Sequence, residues 1–356
     1  MMRTPPPLFF ALSASLLLLL VATSVAADAH DEALSGAMGD SGGGQEDGYI
    51  VPAYQKPVAG LDAEFYRKTC PDMEAIVQRA VKKALDADYT LAASLIRLFF
   101  HDFAVRGTDA SVLIDVPHQS EKYADASRTL RGFKLIEDIK TELEAKCHAT
   151  VSCADILTAA ARDAATAVGV PYWSLQYGRR DGKDSVAEEA DRYVPMGSQS
   201  VTELVALFQT NGLTVFDLVV LSGAHTIGRA TCGAVAPGLC ARRRDGGGLD
   251  RRYGDFLRRK CAGGGEGEYL ELDGETPTTF DNKYYENLLH GKGLLATDQK
   301  LVDDSRTKDL IGAFAKRSSN EMFRHLFARS MKKLGEVQVL TGNEGEVRRK
   351  CSAVNY

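Results

Sequence analysis

Apolar residues recur at helical spacing along most of the chain after residue 60. Stretches of this kind occupy residues 73–88, 90–103, 132–147, 152–169, 201–212, 214–228, 280–293, 305–318 and 320–337. Ser152 is placed to cap the start of one predicted helix, and Gly169 to follow its end. Few segments alternate as strands do, and no internal repeat is present. The pattern therefore predicts a predominantly α fold, larger than a simple four-helix bundle.

The first 60 residues follow a different pattern. Arg3 is the only charge before an apolar, Leu-dense run at 7–27, which ends on small residues. This is typical of a secretory signal peptide, so residues 1–27 are predicted to be removed. A membrane anchor is the alternative, because the run is of borderline spanning length. Residues 28–60 are rich in Gly, Ser and acids and predict a disordered arm or propeptide, which leaves 61–356 as one folded domain.

Charge and cysteine content limit the classes of function that the sequence allows. A net charge of -5 provides no global attraction for nucleic acid, and the basic tract at 241–252 is interpreted as a solvated surface loop. Export would place the seven cysteines in an oxidising compartment, where six can pair and one is left over. Sequence alone leaves the connectivity open, and no close C-x-x-C pair suggests zinc. No later segment is long enough to span a membrane, and no N-x-S/T sequon follows the signal.

Two histidines are candidates for chemistry. Arg97 and His101 lie four residues apart in a strongly apolar stretch, so both would face the same side of a helix. A buried Arg must be paired or face a polar cavity, which favours an internal pocket. A core His with a structural Arg ion pair is the alternative. His225 similarly follows an apolar helix and precedes small residues, so it is a candidate metal ligand or a second core His.

Seven motifs occurring in one order decide between these alternatives. They are FYRKTCP (65–71), RLFFHDFAVRGTDASVL (97–113), LRGF (130–133), VSCADIL (151–157), YGRRD (177–181), LVVLSGAHTIGRATC (218–232) and TPTTFDNKYYENLL with KGLLATDQKL (276–301). Together they resemble the class III secretory plant peroxidases, across about residues 61 to 356. The resemblance implies one all-α domain whose two halves, distal and proximal, enclose haem b.

The resemblance also implies roles for the candidate residues. His225 matches the axial ligand of the haem iron, and Asp298 matches the carboxylate that accepts the other ring N–H of that histidine. His101 matches the distal acid–base group. Arg97 would stabilise the charge that develops as the O–O bond breaks, and Phe100 matches the aromatic residue that limits access to the iron.

Two calcium sites are implied as well, built from hard oxygen ligands. The distal site is matched by Asp102, Val105, Gly107, Asp109 and Ser111. The proximal site is matched by Thr226, Asp273, Thr276, Thr279 and Asp281. Glu121 matches a carboxylate that links the distal histidine region to calcium through water. Because Asp102 follows His101 and Thr226 follows His225, calcium is expected to hold both catalytic helices in register.

Other matched residues concern the donor channel and the covalent framework. Pro195 matches a proline that lines the access channel for small aromatic donors, and Asp155 with Arg179 and Arg180 resembles a buried structural ion pair. Three disulfides are implied: Cys70–Cys147, Cys153–Cys351 and Cys232–Cys261. Cys240 is then the leftover cysteine, free, capped or intermolecular, and we favour free and partly buried.

The chain departs from the family pattern at three places. A short disulfide that clamps the distal calcium loop is missing, because its two positions are Phe103 and Thr108. Its loss removes about 2 kcal/mol in the loop-entropy model and predicts a looser loop with weaker calcium binding. The asparagine that orients the distal histidine aligns best with Ser127, or with Asp125 or Ala126. Loss of such a group predicts peroxide cleavage slowed about 10–100-fold.

The third departure concerns the donor. The aromatic residue expected at the donor edge aligns with Ala234, which puts binding of aromatic donors in question. The expected function is nevertheless a secreted, monomeric haem peroxidase of the extracellular space, cell wall or vacuole. It would reduce hydrogen peroxide to water and oxidise phenolic donors by single electrons. One alternative is a haem-binding wall protein with weak catalysis. A Ser–His hydrolase using Ser222 is another, although the G-x-S-x-G elbow is absent.

Overall fold

The computed structural model describes residues 45–46, 49–50, 58–197, 199–235 and 248–356. The chain forms two compact units, Met1–Gln55 and Lys56–Tyr356. In the first unit, strand β1 (Gln45–Glu46) pairs antiparallel with β2 (Tyr49–Ile50), with Gln45 opposite Ile50. The predicted signal peptide, the remainder of the predicted arm before residue 58, Cys240 and residues 241–247 of the basic tract lie outside the described residues.

The second unit is helical. Its first helices are α1 (Met73–Ala87), α2 (Leu91–Ala104), α3 (Phe133–Lys146), α4 (Cys153–Ala167) and α5 (Ala187–Tyr193). Next come α6 (Val201–Thr210), α7 (Val215–Ser222) and α8 (Arg251–Gly264). The last are α9 (Lys283–Leu289), α10 (Ala296–Lys300), α11 (Lys308–Phe314) and α12 (Asn320–Leu334). Strand β3 (Arg229–Thr231) pairs antiparallel with β4 (Tyr269–Glu271).

Helix α4 is the centre of the distal half. Residues 153–165 are all buried, and many are alanines, whose small side chains allow neighbouring helices to approach closely. Helices α1 and α2 both pack against α4. The start of α4 is capped as the sequence predicts, because Ser152 Oγ accepts a hydrogen bond from Asp155 N at 3.1 Å. This packing holds α2, which carries Arg97 and His101, in a fixed position.

The proximal half is organised around α7. A capping box starts this helix: Thr214 Oγ1 accepts from Asp217 N at 3.2 Å, and the Asp217 carboxylate accepts from Thr214 N at 2.8 Å. Asp217 is also buried against α12, where it pairs with Lys333 Nζ at 2.7 Å and accepts from Ser330 Oγ at 3.0 Å. The helix that leads to His225 is thereby tied to the C-terminal helix.

The predominantly α prediction is confirmed, and a helix is present at each predicted stretch, in most cases with shorter ends; α2 instead extends one residue further, to Ala104. The stretch 214–228 is not one helix, because α7 ends at Ser222 and a 3₁₀ turn (Gly223–Thr226) follows. The interpretation of 241–252 as a loop is wrong at its end. Asp250 Oδ1 accepts from Tyr253 N at 2.9 Å, which caps the start of α8, so Arg251 and Arg252 are helical. The short helices α5 and α10 were also not predicted.

All three implied disulfides are present in the described chain. Cys70–Cys147, Cys153–Cys351 and Cys232–Cys261 have Cα–Cα distances of 5.6, 5.5 and 5.5 Å. The buried ion pair is present for one of the two arginines: Arg179 Nη1 lies 3.0 Å from Asp155 Oδ1, whereas Arg180 Nη2 and Nε contact the carbonyl oxygens of residues 344–345.

No single helix among the described residues has the length and apolar character needed to cross a membrane. Helices at Val201–Thr210 and Val215–Thr226 reach the required composition only as a pair, and they are bent by 110° relative to each other. Several of their apolar side chains are buried inside the protein, as expected for core helices.

Candidate active site

Helix α2 presents Arg97 and His101 on one side, as their spacing predicts. The guanidinium of Arg97 is held from a neighbouring segment: Nη1 donates to Thr129 Oγ1 at 2.8 Å, and Nη2 donates to the Ala126 carbonyl at 3.1 Å. Two fixed hydrogen bonds restrict the orientation of the guanidinium. Arg97 is therefore a fixed positive charge one helical turn away from His101.

His101 is 4% exposed, and its Nδ1 has no hydrogen-bond partner. Burial lowers the pKa of His101 well below its ordinary value, and the nearby charge of Arg97 lowers it further. The imidazole is consequently neutral near pH 7. A neutral imidazole has one ring nitrogen with a free lone pair, which can accept a proton.

His225 lies in the 3₁₀ turn that follows α7. Its Nδ1 is 2.9 Å from Asp298 Oδ1 and 3.1 Å from Oδ2, and Asp298 is 3% exposed. Burial lowers the pKa of His225, but the charge and hydrogen bond of Asp298 outweigh it and raise the pKa overall. Because Nδ1 is engaged by the carboxylate, Nε2 is the nitrogen available to a metal.

Arg97 and His225 both border an internal cleft. The His225 side chain is 36% accessible and Arg97 also has accessible surface, yet burial acts on the pKa of both groups. Side chains that are surrounded by protein and still have accessible surface indicate an internal cleft. The charge of Arg97 also lowers the pKa of His225, which is consistent with both groups facing one cleft. These residues fit haem, because His225 presents an imidazole with a free Nε2 and α2 carries the Arg97–His101 pair.

Ser127 is the aligned position that should orient His101. Asp125 is excluded for this role because it is exposed and paired with Arg128 at 2.6 Å, and Ala126 has no polar side chain. Ser127 is 4% exposed, but its Oγ has no hydrogen-bond partner. The structure thus makes no hydrogen bond between Ser127 and His101, and it leaves Ser127 Oγ and His101 Nδ1 both buried and unpaired.

Segments around the distal side are tied to one another. Asp191 of α5 accepts from Ala126 N at 2.9 Å, next to the carbonyl that holds Arg97. Pro195 lies two residues after the end of α5 and is half-buried. Ala234 is exposed, and the position carries no aromatic ring.

The distal loop after α2 folds around a carboxylate. Asp102 Oδ2 accepts from Ala110 N at 3.0 Å, and its Oδ1 accepts from Val112 N at 3.4 Å. Three residues of the loop adopt positive φ: Arg106 at 63°, Gly107 at 91° and Ala110 at 60°. A side chain at Gly107 would lie 2.6 Å from the Val337 carbonyl, so both the backbone and the contact require glycine.

Buried carboxylates cluster in this loop. Burial raises the pKa of Asp102 well above its ordinary value, and the neighbouring charges of Asp109 and Glu121 raise it further. Burial also raises the pKa of Asp109 to about 6 and that of Glu121 to about 8. Glu121 Oε2 has no hydrogen-bond partner, and Ser111 Oγ lacks one of good geometry. Such unpaired buried oxygens fit a bound cation.

The proximal residues also converge. Thr226 Oγ1 and Thr276 Oγ1 each lie 3.2 Å from Asp281 Oδ1 and within 3.5 Å of Asp273 Oδ2. Thr279 is exposed and joins the group by donating its N–H to the Thr276 carbonyl at 3.0 Å. Among the described residues, no three carboxylate, imidazole or thiol groups could hold a metal alone. Calcium at either place would therefore need hydroxyl and backbone carbonyl oxygens too.

The two positions of the missing disulfide are restrained by other contacts. Phe103 is fully buried among aromatic rings, and Thr108 Oγ1 donates to the Gly335 carbonyl at 3.0 Å. Arg106 Nε and Nη1 bind Glu189 at 2.7 Å and Asp184 at 3.0 Å on the surface. These contacts oppose the looseness that the missing disulfide predicts; calcium affinity stays a prediction.

Two residues of the site were not predicted. Thr129 holds Arg97, and Tyr284 OH donates to Asp298 Oδ1 at 3.1 Å with its ring edge-on to His225 at 6.2 Å. Thr129 directly precedes the LRGF motif and Tyr284 lies within FDNKYYENLL, but neither position carries a charge. Thr129 and Arg97 are 32 residues apart in the sequence, and Tyr284 and Asp298 are 14 apart, so no local pattern could identify these contacts.

Ser222 is not arranged as a nucleophile. Its Oγ donates to the Leu218 carbonyl within α7 at 2.8 Å and makes no hydrogen bond to His225. His225 uses Nδ1 for Asp298, and no described hydroxyl donates to that ring. The Ser–His hydrolase alternative therefore has no support in the geometry.

Comparisons with known proteins find similar proteins of one family. The family model described as Peroxidase matches residues 77–317. The chain is 48% identical over 300 residues to Peroxidase 7 of Arabidopsis thaliana, which covers 83% of this chain and 84% of the relative. It is 40% identical over 301 residues to the lignin-forming anionic peroxidase of Nicotiana sylvestris, covering 83% and 92%. Peroxidase 1 of Hordeum vulgare is 42% identical over 304 residues, covering 83% and 93%.

Proposed function

Because the chain belongs to the peroxidase family, among the plant class III peroxidases, we propose specific roles for its residues in peroxide reduction. The protein is a haem peroxidase, which uses hydrogen peroxide to oxidise donor molecules. We assign the axial ligand to His225, and the peroxide side to Arg97 and His101. The observation that carries this assignment is the His225–Asp298 pair: Nδ1 lies 2.9 Å from Oδ1, while the side chain of His225 stays 36% accessible.

Haem b, when bound, supplies the electrons that break the O–O bond of hydrogen peroxide. The residues supply proton transfer and charge stabilisation. Neutral His101 accepts the proton from the peroxide oxygen that stays, and then donates it to the oxygen that leaves as water. Arg97, held by Thr129 and Ala126, places positive charge where negative charge develops. Arg97 does not have to reorganise for this step, because two hydrogen bonds hold its guanidinium.

Asp298 sets the character of the axial ligand. Its carboxylate accepts from His225 Nδ1, which makes the imidazole a stronger electron donor through Nε2. Tyr284 donates to the same carboxylate and keeps it oriented toward the ring. Asp298 and Tyr284 are thus proposed as positioning residues for His225.

The donor is proposed to be a small phenol. The relative from Nicotiana sylvestris is named a lignin-forming peroxidase, which supports phenolic donors here. Pro195 would border the donor channel, although Ala234 provides no ring for stacking. The apolar run at 7–27 supports secretion, to the extracellular space, cell wall or vacuole, and a monomer suffices for the proposed site.

A direct test uses the haem- and calcium-loaded protein. Mixing it with hydrogen peroxide in a stopped-flow spectrometer should change the haem absorption, and guaiacol should restore the original spectrum. A haem spectrum that peroxide only bleaches, with no oxidised guaiacol, would favour the weakly catalytic wall protein. The peroxidase relatives do not favour that alternative.

Calcium is proposed at both oxygen clusters. Supporting the distal site are the raised pKa values of Asp102, Asp109 and Glu121, since a cation would neutralise their mutual repulsion. Supporting the proximal site are the two carboxylates, Asp273 and Asp281, that share the same threonine hydroxyls. The first ligands of the two sites, Asp102 and Thr226, directly follow His101 and His225 along the chain, so metal loss should disturb both sides of the cleft.

Calcium removal should make stability depend on pH in a defined direction. In calcium-free protein, the pKa values of Glu121 (about 8) and Asp109 (about 6) are higher than those of the same groups in the unfolded chain, which are about 4. The folded state then binds more protons than the unfolded state between about pH 4 and 8, so stability falls as pH rises across this window. Melting temperatures with EGTA should be lower at pH 8 than at pH 5, and calcium should reverse much of the loss.

Glu121→Gln provides the control for this prediction. The variant removes the carboxylate with the pKa of about 8, so its calcium-free melting temperature should change less between pH 6 and pH 8. Equal melting temperatures with and without calcium at both pH values would contradict the distal calcium site.

A further inference from the structure

Phe103 occupies a cysteine position of the family but makes a contact that no cysteine could make. Its ring is fully buried at the end of α2. The ring centroid lies 5.5 Å from that of Phe100 and 6.3 Å from that of Phe208 on α6. The Phe100 and Phe208 centroids are 6.4 Å apart, so the three rings form a closed triangle. We call these three side chains the distal ring cluster.

One member of the cluster reaches the cleft. Phe100 is only half-buried, and on α2 it lies three residues after Arg97 and one before His101. Residues three apart on a helix share a face, so the accessible part of Phe100 opens on the side that Arg97 borders. Its ring also contacts those of Phe103 and Phe208, at centroid distances of 5.5 and 6.4 Å. The ring of Phe100 is therefore a wall of the cleft with two rings behind it.

The two supporting rings are themselves fixed. Phe208 is 3% exposed near the end of α6, where its carbonyl accepts from Asn211 N at 3.1 Å and Leu213 N at 2.9 Å. Behind Phe103, the loop is held where Thr108 N donates to the Val337 carbonyl at 3.2 Å. Aromatic rings in tilted or edge-on contact at these distances attract one another beyond the burial of their area. Phe100 consequently has little freedom to swing out of the cleft.

We propose that Phe103 is a positioning residue that keeps Phe100 in place as a wall of the cleft, and thereby limits the size of molecules that reach the iron. The inference rests on the proposed function, since it assumes haem held by His225. The inference goes beyond the proposed function because it assigns size selectivity to Phe103, a residue with no direct role in binding haem or peroxide. A smaller side chain at 103 would leave space behind Phe100, into which that ring could move.

The test compares two ligands of one chemistry and different bulk. Haem- and calcium-loaded protein is reduced with dithionite and titrated with methyl isocyanide and with tert-butyl isocyanide, followed by haem absorption. For Phe103→Leu, the affinity for the bulky ligand relative to the small one should rise about tenfold, the scale on which an apolar pocket discriminates one methylene. Phe208→Leu should shift the ratio in the same direction, and it decides the question if Phe103→Leu does not fold.

Phe327→Leu is the matched control. Phe327 is also fully buried in α12 and also contacts two rings, Phe280 at 4.6 Å and Phe323 at 6.1 Å. The melting temperature should fall by a similar amount in Phe103→Leu and Phe327→Leu. The isocyanide affinity ratio, however, should be unchanged in Phe327→Leu. The inference about Phe103 would be overturned if the isocyanide affinity ratio stayed unchanged in both Phe103→Leu and Phe208→Leu, or shifted equally in Phe327→Leu. Either result would leave the proposed function standing. Absence of haem absorption in the unmodified protein would overturn the proposed function as well.

Discussion

Replacing His101 with Gln should slow peroxide cleavage by about 10²–10⁴-fold, the usual contribution of a general acid–base group. The imidazole is neutral near pH 7 because burial and the charge of Arg97 both lower its pKa, so it is ready to accept the peroxide proton. Gln retains a polar side chain of similar reach but cannot carry that proton between the two oxygens. The rate is measured as the peroxide-dependent change in haem absorption.

His118→Gln is the control for this variant. His118 is an exposed histidine whose ring lies 5.8 Å from that of Tyr123, and it has no place in the proposed mechanism. Its rate should match the unmodified protein. His101→Gln should keep full haem content and an unchanged carbon monoxide spectrum of the reduced form. A rate close to normal in His101→Gln would remove His101 from the proposed mechanism.

Replacing Ser127 with Asn should have the opposite effect and raise the rate of peroxide cleavage, by about 10–100-fold, the typical contribution of an orienting outer group. The prediction follows from the two unpaired buried atoms, His101 Nδ1 and Ser127 Oγ. A buried N–H without an acceptor costs about 1–3 kcal/mol and leaves the ring free to adopt unproductive orientations. An Asn side chain is longer and brings a carbonyl oxygen toward that N–H.

Ser127→Ala separates this explanation from a simpler one. The Ser127 hydroxyl makes no hydrogen bond to His101, so its removal should change the rate little. A large loss in Ser127→Ala would mean that the hydroxyl already orients the histidine, through a bridging water. No gain in Ser127→Asn, with normal haem content, would show that orientation of His101 does not limit the rate.

Most of the secondary structure and the Arg97–His101 pair could be predicted from the sequence, because those signals are local. Arg97 and His101 share a helix face through their spacing, and Ser152 caps α4 through one hydrogen bond to Asp155 N. The ordered motifs also identified the family and the three disulfides, which span as many as 198 residues. No periodicity could have paired those cysteines, and only the resemblance supplied the connectivity.

Local features of the sequence also explain why helix α8 and the end of α7 were predicted wrongly. Helix α8 begins within a basic, Gly-rich tract, where unfavourable composition conceals the Asp250 cap. The break after Ser222 was missed because apolar periodicity continues past it, although the chain tightens into a 3₁₀ turn there. This break matters for function, since it turns His225 toward Asp298 on α10.

The sequence by itself determined the helical class, the charged side chains proposed for catalysis and calcium binding, and the departures at Phe103, Thr108 and Ser127. Only the tertiary structure decided what those departures mean. It placed Phe103 against Phe100 and Phe208, and left Ser127 Oγ and His101 Nδ1 unpaired. The physical reason is range: helix periodicity and caps act within a few residues, whereas ring packing and hydrogen-bond satisfaction depend on segments that meet only after folding.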